Sequence, residues 1–207
     1  MGGASCCGDY RVVQDFATKY IQSLDAHGTV SVVQFADRAK LIASPGDAES
    51  AISQIASEPY TGGFTNTEEA IELCAKQVKN LDNPVVVLIT DGTPTACTTA
   101  WNRNRKHIFM SDCSDNRCDD CFHGPPRDAA ENRADWAAGE GVTVVPVVVS
   151  SVSEDTEFLE DLARCPEDDS NPNCDVDNFK DKLHVENTQD IDNVLLSLTQ
   201  LTGCEDE

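Results

Sequence analysis

The sequence predicts an α/β fold, a doubly wound and mostly parallel sheet of Rossmann-like type with helices on both faces. Three observations predict it. Val85–Ile89 and Val142–Val149 are β-branched, almost wholly apolar runs, the pattern of strands covered on both sides. Amphipathic segments at helical spacing alternate with such runs. The 207 residues, 40% of them hydrophobic, suffice for one domain with a buried core.

The first helix is carried by Val13, Phe16, Ala17, Tyr20 and Leu24, an i, i+3, i+4, i+7, i+11 stripe that Gly28 punctuates. Thr29–Phe35 and Ala39–Ala43 read as two strands, antiparallel because only the tight turn 36–38 joins them. Asp47 is placed to cap a short helix bearing Ala51, Ile52 and Ile55. A glycine-rich turn precedes a helix with Ile71, Cys74, Ala75 and Val78 on one face, which Asn83-Pro84 ends. Val85–Ile89 follows as a central parallel strand.

Residues 96–127 then interrupt the pattern, and the four cysteines there, Cys97, Cys113, Cys118 and Cys121, offer staples for so long a loop. A helix around Asp128–Ala138 and a Gly139-Glu-Gly141 stop lead to Val142–Val149. Pro146 removes one donor from that strand, which points to a bulge or an edge position. Ser153 caps a helix with Phe158, Leu159 and Leu162 inward, Lys182–Val185 is a weak final strand, and Thr188 starts a helix bearing Ile191, Val194, Leu195 and Leu198.

Charge and cysteine content bound the function. A net charge of −22, from 37 acidic and 15 basic residues, argues against a nucleic-acid partner. No run approaches the ~18–20 apolar residues of a membrane span. Ten cysteines suit disulfides in an oxidising compartment. Cys165 and Cys174 flank an acidic loop they are placed to staple, Cys6 or Cys7 is expected to pair with Cys204, and Cys74 reads as a buried free thiol. Cys113, Cys118 and Cys121 read either as part of a disulfide set with Cys97 or, with His123, as a zinc site. The acidic stretch 166–177 lacks the spacing of a calcium loop. No histidine has a Ser or Cys partner suggesting a nucleophilic triad.

Two motifs carry the candidate site. Thr61-Gly-Gly-Phe-Thr-Asn-Thr67 opens a helix, and Leu88-Ile-Thr-Asp-Gly92 closes a strand; Thr65 and Asp91 lie 26 residues apart with an amphipathic helix between them. A hydroxyl and a carboxylate are hard oxygen donors, half of a divalent-cation site. The alternative reading is structural: Thr65 with Glu68 forms a capping box, and Asp91-Gly92 is an ordinary turn.

With its strand Val30–Phe35, its loop Gly62-Gly-Phe-Thr-Asn-Thr-Glu-Glu-Ala-Ile71 and its strand Pro84–Gly92, the chain resembles a von Willebrand factor type A (VWA) domain from about Tyr10 to Leu201. The resemblance implies one domain over residues 1–207, with 96–127 a cysteine-rich insertion after the strand that ends at Asp91. It also implies a metal-ion-dependent adhesion site in which Thr65 matches the loop threonine and Asp91 the strand-end aspartate, for Mg²⁺, Mn²⁺ or Ca²⁺. The family's first strand and its Asp-x-Ser-x-Ser motif have no counterpart here. The expectation is therefore an N-terminally truncated chain starting at an internal methionine, with strand, motif and signal sequence upstream. The function implied is a non-enzymatic adhesion module, extracellular or at the cell surface, that contacts an acidic residue of a protein or matrix partner. The alternatives are a metal-dependent α/β hydrolase-type enzyme using Asp91 and an intracellular VWA scaffold with a zinc-binding insertion.

Overall fold

In the computed structural model of the chain, the described residues are 6–24, 28–90, 94, 96–97, 108–109, 125–149, 158, 161–166, 174, 184–185 and 193–198. Helix α1 (Cys6–Ser23) leads into a hairpin of β1 (Val30–Phe35) and β2 (Ala39–Gly46), followed by α2 (Ala48–Ser57) and α3 (Thr67–Val78). Next come β3 (Val85–Thr90), the short strands β4 (Ala96–Cys97) and β5 (Ile108–Phe109), α4 (Pro125–Gly139), β6 (Thr143–Val149) and β7 (His184–Val185). Residues 193–198 are helical. Asp47 caps α2 as its position predicts, its carboxylate accepting the Ser50 N–H at 2.8 Å.

The strands form small sheets of both kinds. β1 and β2 pair antiparallel from Phe35–Ala39 outwards, with register shifts on either side of Val32. β3, β6 and β7 lie in that order and pair in parallel. β4 and β5 pair antiparallel inside the segment expected to be an insertion.

Pro146 is neither at an edge nor in a bulge, contrary to the expectation. It sits in unbroken register opposite Leu88, in the middle strand of three. The alternation of the ladder explains how. The Thr143 N–H points to β3, bonding Pro84 O at 3.0 Å, whereas the Val144 N–H points the other way, to Arg164 O at 2.9 Å. Residue 146 shares the outward side with Val144, and β7 pairs only from Val148 onward. The missing donor thus faces the gap between the Arg164 bridge and β7, where no ladder bond is required of it.

Apolar packing follows the strand alternation. Val86 and Leu88 pack with Ile71 and Ala75 of α3, Ala130, Ala134 and Ala137 of α4, and Phe158 and Leu162. Val85, Val87 and Ile89 point to the other face, against Phe16 of α1 and against Val194 and Leu198. A third cluster lies under the hairpin, where Ile21 meets Val30, Ala43, Ala51 and Ile55. Helix α1 therefore contributes to two cores, Phe16 to one and Ile21 to the other. Arg133 of α4 links the helices of the first cluster, pairing with Glu68 at 3.5 Å and Glu72 at 3.3 Å while stacking over Trp136.

Ile71 is fully buried in the first cluster and Leu196 is 61% exposed. Ile71→Ala is expected to cost about 2–5 kcal/mol, and Leu196→Ala to stay within about 0.5 kcal/mol of the parent. Urea unfolding followed by far-UV circular dichroism checks both; equal losses would contradict this assignment of the core.

Candidate functional site

The glycine-rich loop is held by the turn between β1 and β2. The Phe64 N–H donates to Asp37 Oδ1 at 2.6 Å. Gly63, at φ +138°, brings its backbone so close to that carboxylate that a Cβ would lie 2.3 Å from Oδ1. Only glycine combines this backbone angle with that approach.

Asn66 then locks the loop to the helix. It is fully buried. Its N–H donates to Ala36 O at 2.9 Å, and its Nδ2 donates to Asp37 O at 3.2 Å and Glu69 Oε2 at 3.3 Å. Its Oδ1 accepts the Glu69 N–H at 3.1 Å, and Glu69 Oε2 also accepts the Ala39 N–H at 3.3 Å. The expected capping box of Thr65 and Glu68 is thereby corrected by one residue: the N-cap of α3 is Asn66, reciprocated by Glu69. The reason is chemical. An amide offers an acceptor to the helix and donors to the turn together, which a hydroxyl cannot match. Glu68 is turned inward instead, 2% exposed and paired with Arg133.

Thr65 is brought to a cavity of about 420 Å³ whose lining also includes Thr90, the last residue of β3. Asp91 lies outside the described residues, directly after Thr90 in the chain. The cavity is lined by every residue of β1 and of β3, by Val13 and Ala17 of α1, and by Ala70, Cys74 and Val78 of α3. Among the described residues, none that lines it is charged. Its lining includes Tyr10, whose ring meets that of Tyr60 at a tilt with centroids 5.1 Å apart and whose hydroxyl accepts a bond from Gln34 Nε2 at 3.1 Å. Cys74 is a free thiol, and burial pushes its pKa up to about 12, so it is no nucleophile at neutral pH.

As a cation site, the donor set is sparse. The Thr65 hydroxyl is a hard oxygen donor suited to Mg²⁺. Nearby, the buried Thr67 Oγ1 has no hydrogen-bond partner among the described residues. No cluster of three or more His, Cys, Asp or Glu side chains with metal-holding geometry occurs among the described residues. The expected staple of the acidic loop is present, Cys165 and Cys174 being bonded with Cα atoms 5.7 Å apart. Cys113, Cys118, Cys121, His123 and Cys204 lie outside the described residues. Asp37 and Asn66 were invisible as loop anchors in the sequence. The one available signal was Asp37 in a tight turn together with a Gly-Gly pair, residues that permit close approach.

A family model of the von Willebrand factor type A domain matches residues 5–93. No curated protein sequence matches the chain. Among solved structures, proximal thread matrix protein 1 from the mussel byssus is similar over 94% of this chain and 41% of its own, with 15% identity and a TM-score of 0.57. A second structure of that protein has a zinc-occupied MIDAS motif, with 16% identity, coverage of 92% of this chain and 40% of that one, and a TM-score of 0.56. The PilB minor pilin from Streptococcus sanguinis is similar over 94% of this chain and 54% of its own, at 12% identity and a TM-score of 0.64. The pilus adhesin SpaC from Lactobacillus rhamnosus GG covers 96% of this chain and 28% of its own, at 13% identity and a TM-score of 0.62. The chain thus spans about two fifths of the length of the byssus protein structure. Residues 5–93 thus match the von Willebrand factor type A family model, and the α/β fold in which they lie is like that of type A domains.

Proposed function

We propose that this chain is a non-enzymatic binding module, extracellular or at the cell surface, in which a divalent cation held by Thr65 and Asp91 engages an acidic residue of a protein or matrix partner. The observation that carries this reading is that capping of α3 falls to Asn66, while Thr65 lines the same cavity as Thr90. The residue after Thr90 is Asp91, so a hydroxyl and a carboxylate belong to two chain segments that converge there. A hard cation takes about six oxygens and retains water or partner ligands where protein supplies few. When bound, it supplies positive charge that a partner carboxylate can meet. Mg²⁺ is the leading ion, with Mn²⁺, Ca²⁺ and, by likeness to the zinc-bearing byssus protein, Zn²⁺ as others.

Two further features support the reading. A disulfide between Cys165 and Cys174 suits an oxidising compartment, and the similar structures include pilus and byssus proteins. The β2–β1 hairpin and the β3–β6–β7 sheet are taken as two parts of one doubly wound, mostly parallel sheet within a single domain, because α1 packs beneath both. Residues 96–127, which follow β3 closely in the chain, are read as an insertion that would tune partner choice.

Calorimetric titration of the chain with MgCl₂ and MnCl₂ tests the site. Thr65→Ala and Asp91→Ala are each expected to weaken binding at least tenfold; variants that bind as tightly as the parent would remove the assignment. A second prediction concerns the loop that presents Thr65. Gly63→Ala is expected to cost about 1–3 kcal/mol in stability, because φ +138° and the Asp37 carboxylate both oppose a Cβ. Gly139→Ala, near whose Cβ nothing lies within 4 Å, is expected to be neutral or to stabilise by up to about 1 kcal/mol at its helix end. Differential scanning calorimetry of the two variants distinguishes these signs.

A further inference from the structure

Thr65 lies between two backbone N–H groups that both bond to the turn joining β1 and β2. The Phe64 N–H donates to Asp37 Oδ1 at 2.6 Å, and the Asn66 N–H donates to Ala36 O at 2.9 Å. The two bonds differ in kind. The second runs from backbone to backbone and is supported by the buried Asn66 amide, whose Nδ2 donates to Asp37 O at 3.2 Å. The first is made by a side chain, on the side of Thr65 that leads away from α3. There the chain is Thr61-Gly62-Gly63, exposed throughout, and its two glycines open many backbone conformations. A bond from a backbone N–H to a carboxylate is charge-assisted and among the stronger restraints such a segment can have.

We propose that Asp37 is a positioning residue for the proposed cation site. By accepting the Phe64 N–H, its carboxylate holds the loop in the form that presents the Thr65 hydroxyl. The inference rests on the reading of Thr65 as a cation ligand. Apparent affinity falls with the fraction of molecules whose ligands stand in the binding-competent arrangement. Loss of the Asp37 acceptor frees the glycine segment ahead of Thr65, while Asn66 keeps the start of α3 in place. Cation affinity then drops without loss of the fold. A rival role for Asp37, attraction of the cation by its charge, makes a different demand. Positioning needs an acceptor oxygen, which asparagine also offers; attraction needs the negative charge, which asparagine lacks. The bond and the bound ion favour the same loop form, so each stabilises the other by an equal amount.

The test titrates the 207-residue chain with MnCl₂, following free Mn²⁺ by electron paramagnetic resonance. The parent is compared with Thr65→Ala, Asp37→Ala and Asp37→Asn, and the site is the binding that Thr65→Ala removes. Asp37→Ala is expected to weaken that binding at least fivefold, and Asp37→Asn to stay within twofold of the parent. Amide exchange by NMR gives a second reading that needs no variant. Saturating MgCl₂ is expected to slow exchange of the Phe64 amide at least fivefold in the parent, and this reading decides if Asp37→Ala does not fold. Exchange along the β3–β6 ladder is expected to be the same in Asp37→Ala as in the parent. Undiminished binding by Asp37→Ala, or a Phe64 amide indifferent to MgCl₂, would overturn the proposal. Equal weakening by Asp37→Asn would overturn it in favour of a charge role, and faster exchange along the ladder in favour of a purely structural one. A parent that binds no more Mn²⁺ than Thr65→Ala would remove the cation reading itself, and this inference with it.

Discussion

Six consecutive residue pairs, from Val85–Thr143 to Thr90–Val148, make up the parallel ladder between β3 and β6, and the remaining structure depends on it. Each side chain of β3 commits to one face or the other, so the ladder feeds two of the three cores. Helices α3 and α4 cover one face, and α1 with residues 193–198 covers the other. The ladder also ends at Thr90, which places the end of β3 at the candidate site. One constraint remains on such a strand. Burial on both faces demands pairing on both edges, and β3 has β6 on only one of them among the described residues.

Besides the apolar cluster beneath it, the hairpin is fastened to this frame through buried polar groups. Asn66 is fully buried and bonds to Ala36, Asp37 and Glu69. Burial of an amide is tolerable only because each of its groups finds a partner. Glu68 repeats the principle with charge, its carboxylate being 2% exposed against Arg133 of α4. Such a pair contributes little net stability because desolvation offsets the attraction, but loss of either member leaves a buried charge. Position is what these contacts provide. They set the start of α3, and with it Thr65, relative to the end of β1.

Much of this was legible in the sequence, and the reasons for the rest are local. The stripe from Val13 to Leu24, the hairpin at 29–43 and the run at Val85–Ile89 declare themselves because burial imposes a period of 3.6 or 2 on side-chain polarity. Pro146 misled because a proline is costly only where its missing N–H is called upon, and the direction of that N–H depends on the register with β3. Thr65 misled as a cap because Thr65-x-x-Glu68 and Asn66-x-x-Glu69 satisfy the same pattern one residue apart; contact with the β1–β2 turn chose between them. No periodicity could reveal that β1 and β3 share a cavity, since the pairing of edges is a tertiary matter. Asp91 carries the sharpest functional expectation and lies outside the described residues.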